Sequence, residues 1–386
     1  MQDMNLTKLR TELEAETLKE SKTFYGSQYR IKTPLLLLNA YLHGGIPSSS
    51  IVEVYGEPKA GKSTFTYMVG GEFQKDHKDG IIYIIDSEKS IEKVRMEKLG
   101  IDSKRVIVQL IKWMEEGFVK INKLLDKLTL HSDETEKSSK SGGGKVTPLM
   151  IIWDTIAASI TEAQYNEPGN LNAGGMNEKP RRLKQELNAL IPKLNGTGAS
   201  LWLINQVYTH YHKWGTTTDS GGGFGLKHGA HYKFEVKIGK KLFGEDDTDF
   251  ISSDQTSIVN VKKTKSSPEI RNLPLVIDTL EGGMLDHGKC MLYFFKNQEL
   301  LSSPSKGWFT FPGVDKKLRL THLVELSKIP AIQAFFVDYF LYIVAKKSSY
   351  LRSIYFNSTE TNEADLEKWY KAKEKEATKV VAKFFS

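Results

Sequence analysis

Short, continuous apolar runs recur along much of the chain and predict strands that are buried on both faces of a sheet. The clearest runs cover residues 51–55, which Glu53 interrupts, and residues 81–85, 149–153 and 201–204. Segments whose apolar positions have helical spacing lie between and beside them, at residues 64–69, 91–99, 118–130 and 181–194. Strands that alternate with helices predict an α/β domain with a mostly parallel, twisted sheet flanked by helices.

The two ends of the chain have a different pattern. An amphipathic helix, which either packs on its own domain or docks on a neighbouring subunit, is predicted by the spacing of Leu6, Leu9, Leu13 and Leu18. After Pro312 the sequence becomes mainly helical and basic. We therefore expect an N-terminal helical arm (residues 1–29), a core (30–311) and a small C-terminal helical region (312–386).

Long stretches without regular periodicity are predicted to be loops. Residues 162–178 contain Pro168 and several glycines, and residues 207–227 interleave aromatic and basic side chains with threonines and glycines. The composition of residues 207–227 suits stacking on unpaired bases and contact with phosphates, although it also fits a mobile surface loop. Residues 131–145 are rich in Ser, Lys, Glu and Gly and are predicted to be a mobile insertion.

The first apolar run leads directly into a complete P-loop motif, Gly-x-x-x-x-Gly-Lys-Ser. Its residues are Gly56, Glu57, Pro58, Lys59, Ala60, Gly61, Lys62, Ser63 and Thr64. A strand before the motif and a helix that starts near Gly61 supply the context that the motif requires. Backbone N–H groups of such a loop surround phosphate oxygens, and the positive end of the helix adds to the attraction. Lys62 is then placed to reach the β- and γ-phosphates, and Ser63 to hold Mg²⁺.

Acidic residues follow two of the other predicted strands. Asp86 and Glu88 come after the run at 81–85, and Asp154 ends the run at 149–153, as in a Walker B motif. Ligands of open α/β sheets bind beside the carboxyl ends of strands, so Glu88 is placed to polarise a water and Asp154 to organise Mg²⁺. Glu88 could equally be part of a helix N-cap or a surface charge.

Composition adds few constraints. The formal net charge of +7 fits a polyanionic partner, either nucleic acid or a membrane surface, and fits equally well lysines that only keep the surface solvated. The single cysteine, Cys290, excludes a disulfide framework. The start of the chain has no signal-peptide pattern, and the apolar run at 334–344 is too short to span a membrane and carries Asp338. A reducing cytoplasm is the expected compartment, and no membrane partner is expected.

The order of these motifs over residues 30–286 resembles the RecA-type homologous recombinases, and most closely their phage UvsX-type members. The resemblance implies that Glu88 activates the attacking water and that Asp154 serves the Mg²⁺. It implies that Gln206 senses the γ-phosphate and passes the signal to the second DNA-binding loop, at about 207–227. Arg95 lies where bacterial members carry a tyrosine that stacks on adenine, and a guanidinium can stack there as well.

The resemblance implies that the N-terminal helix, within residues 1–29, is an arm that docks on the next protomer. It also implies residues that contact DNA and a neighbouring subunit. Lys263 and Lys265 match a lysine pair that reaches the neighbour's nucleotide. In the first DNA loop, at about 162–178, and in the helix that follows it, the matching residues are Met176, Arg181 and Arg182. In the second loop, the candidates are Tyr208, Lys213, Trp214, Gly222, Gly223 and Lys227.

The function that the resemblance implies is a DNA-dependent ATPase that forms a helical filament on single-stranded DNA and exchanges strands with homologous double-stranded DNA. ATP and Mg²⁺ would be its cofactors, other copies of the chain its main protein partner, and a single-strand-binding protein and a loading mediator its helpers. If the chain is phage-encoded, its compartment would be the host cytoplasm. The alternatives are a hexameric helicase or motor on the same fold, which would need an arginine finger where this chain offers lysines, and a regulatory recombinase paralogue without catalysis.

Overall fold

The computed structural model describes residues 29–138, 147–168, 178–212, 215–221, 223–239, 254–264, 269–278, 284–305, 308–310, 312, 317–347, 352 and 363–385. The predicted N-terminal arm lies almost wholly outside these residues. The strands are β1 (Arg30–Ile31), β2 (Ile46–Pro47), β3 (Ile51–Gly56), β4 (Ile81–Asp86), β5 (Val106–Leu110), β6 (Leu149–Asp154), β7 (Ser200–His212), β8 (Gly215–Ser220), β9 (Tyr232–Ile238), β10 (Asp254–Lys263), β11 (Ile270–Asp278), β12 (Met284–Leu285), β13 (Ser302–Ser305), β14 (Trp308–Thr310) and β15 (Lys317–Arg319).

The helices alternate with these strands in the first part of the chain and dominate its end. They are α1 (Leu36–Tyr41), α2 (Lys62–Asp76), α3 (Lys93–Lys98), α4 (Met114–Ser138), α5 (Glu162–Asn166), α6 (Glu178–Thr197), α7 (Gly223–Gly229), α8 (His287–Asn297), α9 (Leu320–Ser327), α10 (Pro330–Lys347) and α11 (Glu363–Phe385).

The central sheet has the strand order β12-β11-β10-β9-β3-β7-β6-β4-β5. Strands β9, β3, β7, β6, β4 and β5 are parallel to one another, and β10 to β12 extend the sheet by antiparallel pairing. The prediction of a mostly parallel sheet flanked by helices is therefore confirmed.

Both faces of the parallel strands are covered, as their continuous apolar sequences require. Along β6, Met150 and Ile152 belong to one buried cluster, whereas Ile151 and Trp153 belong to the other. Helix α2 packs Phe65 into the first cluster, and α4 and α6 supply the second with residues that include Phe118. Packing on both faces holds the parallel strands in place, so that their carboxyl ends form one edge of the sheet.

The prediction of a loop over residues 207–227 is wrong for most of its length. Strand β7 continues to His212 and pairs with β8 in an antiparallel hairpin, whose register runs from Val207 opposite Ser220 to His212 opposite Gly215. Helix α7 follows at Gly223. The physical reason is that tyrosine, valine and threonine are strong strand formers, and they outweigh the nearby glycines.

Two other predicted boundaries also differ from the structure. Helix α4 runs to Ser138, so the first half of the predicted insertion at 131–145 is helical. The predicted loop at 162–178 contains the short helix α5, which begins with a capping box between Thr161 and Gln164. Most of the remaining part of that loop, from residue 169 to 177, lies outside the described residues.

The C-terminal helices share a core with the sheet domain. Phe340 of α10 packs against Tyr41 and Phe294, with ring centroids 6.3 and 5.6 Å apart, and Phe336 packs against Phe295 at 5.2 Å. The domain boundary at residue 312 remains a prediction. Among the described residues, no single helix is long and apolar enough to cross a membrane. Helices α9 and α10 together have the length and apolar composition of a membrane span, but they are bent by 100° relative to each other.

Candidate nucleotide site and nucleic-acid interface

The carboxyl ends of the central strands bring the predicted site residues together. Gly56 at the end of β3 is the register partner of Gln206 on β7, and Asp86 at the end of β4 is the partner of Asp154 on β6. These strands are neighbours in one parallel block, so their ends form a single edge. This edge is where ligands of open α/β sheets bind.

The P-loop has the backbone shape that phosphate binding needs. Lys59 and Gly61 have positive φ angles of 62° and 93°, so the chain curls between β3 and α2. A Cβ at Gly56 would lie 2.0 Å from the carbonyl oxygen of Val236, which leaves room only for glycine. Helix α2 begins at Lys62, as predicted, and its N-cap Gly61 makes no side-chain cap. Its first N–H groups therefore remain available to an anion.

Lys62 is buried at the centre of this edge. Its Nζ donates a hydrogen bond of 2.7 Å to the carbonyl oxygen of Glu57. Burial lowers the pKa of Lys62, and the nearby carboxylates of Asp154, Glu88 and Glu57 oppose that shift. A bound phosphate would add further negative charge beside Nζ and favour its protonated form.

Asp154 is held by two hydroxyl groups of α2. Tyr67 donates a hydrogen bond of 2.7 Å to its Oδ2. Burial raises the pKa of Asp154, while the hydrogen bonds from Tyr67 and Ser63 lower it. A buried carboxylate beside a serine hydroxyl is an oxygen-rich donor set that suits Mg²⁺. The sequence interpretation missed Tyr67, although its position one helical turn after Ser63 was a usable signal.

Glu88 and Asp86 have different environments. Glu88 is exposed, and its Oε1 accepts a hydrogen bond of 2.9 Å from Thr155 Oγ1. Asp86 is buried, and its carboxylate accepts hydrogen bonds from the backbone N–H groups of Glu88, Ser90 and Ile91. Asp86 thus shapes the turn that presents Glu88. Thr155 was also missed, because nothing in its local sequence links it to Glu88.

Arg95 and Gln206 border the same site. The Nη2 atom of Arg95 donates a hydrogen bond of 3.1 Å to Thr64 Oγ1, which places the guanidinium beside the end of the P-loop. Gln206 lies at the base of the hairpin, where its carbonyl oxygen accepts a hydrogen bond of 3.1 Å from the N–H of Gly221. The backbone of Gln206 is thus bonded to Gly221, the residue that follows β8.

Lys263 is partly buried, and its Nζ donates to the carbonyl oxygens of Lys227 and His228 at 3.2 and 3.3 Å. It thereby caps the C-terminal end of α7, a favourable place for a cation. Lys262 faces Glu235 at 3.6 Å. Lys265 lies outside the described residues, so the role of the lysine pair stays a prediction.

The two segments predicted to bind DNA come together through α6 and α7. At Gly225 an added Cβ would lie 2.7 Å from Cβ of Lys184, so the two helices are in close contact. Arg181 and Arg182 are exposed in the first turns of α6, and Lys227 is exposed on α7. Tyr208 lies on β7 and Gly223 starts α7. Four other predicted contacts lie outside the described residues: Met176, Lys213, Trp214 and Gly222.

Comparisons with known proteins identify a family for the part of the chain that contains these residues. The family model of the RecA N-terminal domain matches residues 31–282. Protein RecA of Petrotoga mobilis is 24% identical over 314 residues, which cover 79% of this chain and 76% of that protein. Protein RecA of Rickettsia prowazekii is 25% identical over 324 residues, covering 82% and 84%. Protein RecA of Cytophaga hutchinsonii is 27% identical over 240 residues, covering 62% and 61%. The matched region contains the P-loop, Glu88, Asp154 and Gln206.

Proposed function

The chain belongs to the RecA family, and from this premise we propose that it is a DNA-dependent ATPase that assembles head to tail on single-stranded DNA and exchanges strands with a homologous duplex. One observation carries the proposal. The P-loop, Glu88, Asp154 and Gln206 share one sheet edge, and Gln206 is also the base of the hairpin that contains the predicted DNA contacts. Nucleotide and DNA would therefore bind at connected places.

The proposed chemistry divides among residues of this edge. Residues 56–64 would hold the phosphates of ATP, with Lys62 at the β- and γ-phosphates. Ser63 and Asp154 would hold Mg²⁺, which supplies positive charge against the transferring phosphoryl group. Glu88 would take a proton from the attacking water, and Thr155 keeps its carboxylate in place through the 2.9 Å hydrogen bond. Lys263 and Lys265 of a neighbouring copy would complete the site.

Binding of DNA would follow from the same arrangement. Arg181, Arg182 and Lys227 would contact phosphates, and Met176 and the hairpin residues would lie against the bases. Loss of the γ-phosphate would release Gln206 and relax the hairpin. Contacts to the DNA backbone, rather than to base edges, would leave the bases open for pairing with a second strand.

A finer placement within the family is also part of this proposal. We propose that the chain lies nearest to the phage UvsX-type members, in keeping with Arg95 at the adenine position and with a basic rather than acidic C-terminal region. Alignment with phage-encoded members, position by position over these features, tests the placement. Greater similarity to cellular recombinases at both features would contradict it.

The decisive experiment measures ATP hydrolysis with and without single-stranded DNA and images the same mixtures by electron microscopy. We expect DNA-stimulated turnover and open helical filaments. Closed hexamers that unwind forked duplex would favour the helicase alternative, and DNA binding without turnover would favour a regulatory paralogue.

Variants of the site residues test the roles in catalysis. Glu88→Gln should lower the DNA-stimulated rate by about 10²- to 10⁴-fold, because the amide cannot accept the proton. Lys62→Ala should abolish strand exchange. Glu92→Gln is the matched control, since Glu92 is an exposed carboxylate before α3 that makes no side-chain cap. An unchanged rate for Glu88→Gln would refute the assigned base.

A further inference from the structure

A charged pair lies inside the apolar sheet, on β9 and on β3, the strand that ends at the P-loop. Glu53 in β3 and Lys233 in β9 are register partners, and their side chains are 0% and 7% exposed. Lys233 Nζ lies 2.9 Å from Glu53 Oε2, as an ion pair rather than a well-aligned hydrogen bond. The ammonium also stands 5.0 Å above the centroid of the Tyr55 ring. Burying two charges in this way is costly, and apolar residues of the same size are often as stabilising.

Contacts of this pair lead to the base of the hairpin. Lys233 Nζ donates a hydrogen bond of 2.9 Å to Ser220 Oγ, at the end of β8. Asn205 Nδ2 donates to Glu53 Oε1 at 2.9 Å and to the carbonyl oxygen of Gly221 at 2.6 Å. Asn205 Oδ1 in turn accepts the N–H of Gln206 at 2.9 Å. The network therefore holds the hairpin where it leaves the sheet and again where it returns.

From these contacts we infer that Glu53, Lys233 and Asn205 are positioning residues, which fix the base of the β7–β8 hairpin against the strand that leads into the P-loop. Glu53 is three positions before Gly56 on β3, so the hairpin and the P-loop share a rigid support. A displacement of Gln206 by nucleotide would then be passed to both hairpin strands together, because hydrogen bonds join Ser220 to Lys233 and Gly221 to Asn205. This inference rests on the proposed binding of DNA by the hairpin.

The test compares the affinity for single-stranded DNA in the presence of a non-hydrolysable ATP analogue with the affinity in the presence of ADP, measured by fluorescence anisotropy. The main variant is the double substitution Glu53→Gln with Lys233→Met, which removes both charges and leaves neither buried alone. We expect its ATP hydrolysis without DNA to stay near the wild-type rate. The ratio of the two DNA affinities should fall by about tenfold, the size of a typical coupling between sites.

Glu235→Gln is the matched control. Glu235 is a buried carboxylate on β9, the strand that also carries Lys233. Its partners are Asn260, Lys237 and Lys262, which lie away from the hairpin. A loss of stability alone would affect both the double variant and Glu235→Gln, whereas the ratio of the two DNA affinities should change only in the double variant. If the double variant does not fold, Ser220→Ala provides the test, because it removes the hydroxyl group that Lys233 contacts. We expect the ratio of the two DNA affinities to fall in this variant too, but by less than in the double variant.

The outcomes separate this inference from the proposed function. A wild-type affinity ratio in the folded double variant, or in Ser220→Ala if the double variant does not fold, would overturn the inference and leave the recombinase proposal intact. Failure of the unmodified protein to bind single-stranded DNA in a nucleotide-dependent way would instead refute the proposed function itself.

Discussion

Tyr67 is the residue whose substitution would best test the proposed Mg²⁺ site. Its hydroxyl donates to Asp154 Oδ2 at 2.7 Å and helps to lower the pKa of a carboxyl group that burial raises. In Tyr67→Phe this hydrogen bond is lost, and the carboxylate form of Asp154 becomes less favourable. A hydrogen bond to a charged group contributes roughly 1.5–3 kcal/mol. The Mg²⁺ concentration for half-maximal ATP hydrolysis should therefore rise by about tenfold.

The measurement is the rate of ATP hydrolysis as a function of Mg²⁺ concentration. At saturating Mg²⁺ the rate of Tyr67→Phe should approach that of the wild type, because no reacting group has been removed. Tyr41→Phe is the control, since Tyr41 is also buried but packs against Phe340 of the C-terminal helices. An unchanged Mg²⁺ dependence in Tyr67→Phe would mean that Ser63 alone suffices to orient Asp154.

At the scale of elements, the sequence predicts those whose signal is local. The runs at 81–85 and 149–153 are apolar throughout, and each became a buried strand of the parallel block. The hairpin was not predicted, because glycines and aromatic residues between Val207 and Lys227 resemble a flexible loop until strand pairing is known. Pairing of β7 with β8 depends on contacts across the hairpin, which no local pattern encodes.

The first turn of helix α6 contains a partly buried lysine, Lys179, whose contribution to the free energy of unfolding should depend on pH. Lys179 donates a hydrogen bond of 2.8 Å to the carbonyl oxygen of Ala157, and Thr161 Oγ1 donates to Glu178 Oε2 at 3.2 Å. These contacts join the two ends of the predicted first DNA loop. Burial lowers the pKa of Lys179 from 10.5 to about 8. The folded protein therefore releases this proton more easily than the unfolded chain does.

The sign of the pH effect follows from this difference in proton binding. Between pH 8 and 10.5 the unfolded chain holds more protons at Lys179, so the free energy of unfolding rises with pH in that window. Below pH 8 both states are protonated and the cost of burying the charge is fully present. From pH 8 to about pH 9.5 the contribution of this residue should improve by about 1.5 kcal/mol.

Urea unfolding of the wild type and of Lys179→Met at both pH values measures this contribution. The wild type should gain stability relative to Lys179→Met as pH rises, because methionine does not titrate. Lys184→Met provides the control, since Lys184 is exposed on the same helix. Parallel pH dependences for the wild type and Lys179→Met would show that Lys179 is not desolvated in solution.

At the scale of the whole molecule, the site combines residues that are far apart in the chain. The rule that ligands bind beside strand ends was enough to predict that Gly56, Glu88 and Asp154 lie together. It could not identify the supporting contacts of Tyr67 with Asp154, or of Glu53 with Lys233. Those depend on which strands are neighbours and on how α2 is rotated against the sheet, and both are set by packing rather than by local sequence.

The outer strand β5 makes the most direct prediction about assembly. Among the described residues, no strand pairs with the side of β5 that faces away from β4, so β5 ends the sheet there. Ile107, Val108 and Leu110 are 47%, 45% and 50% exposed on it. An edge of this kind invites pairing with a strand of another chain. The filament proposed above needs a heterologous and non-closing contact between identical copies, and we expect this edge to take part in it.

Ile107→Lys with Leu110→Lys should therefore block assembly without unfolding the protein. Burying an aliphatic side chain contributes roughly 1.5–3 kcal/mol, and an unpaired lysine at the contact adds a desolvation cost, so the protein concentration needed for filaments on single-stranded DNA should rise by at least about 100-fold. Analytical ultracentrifugation and electron microscopy measure that concentration, and circular dichroism checks the fold. Phe384→Lys, an exposed apolar position on α11, should leave assembly unchanged. Filaments of the double variant at the wild-type concentration would place the subunit contact on another surface, since two charges cannot be buried at this edge without cost.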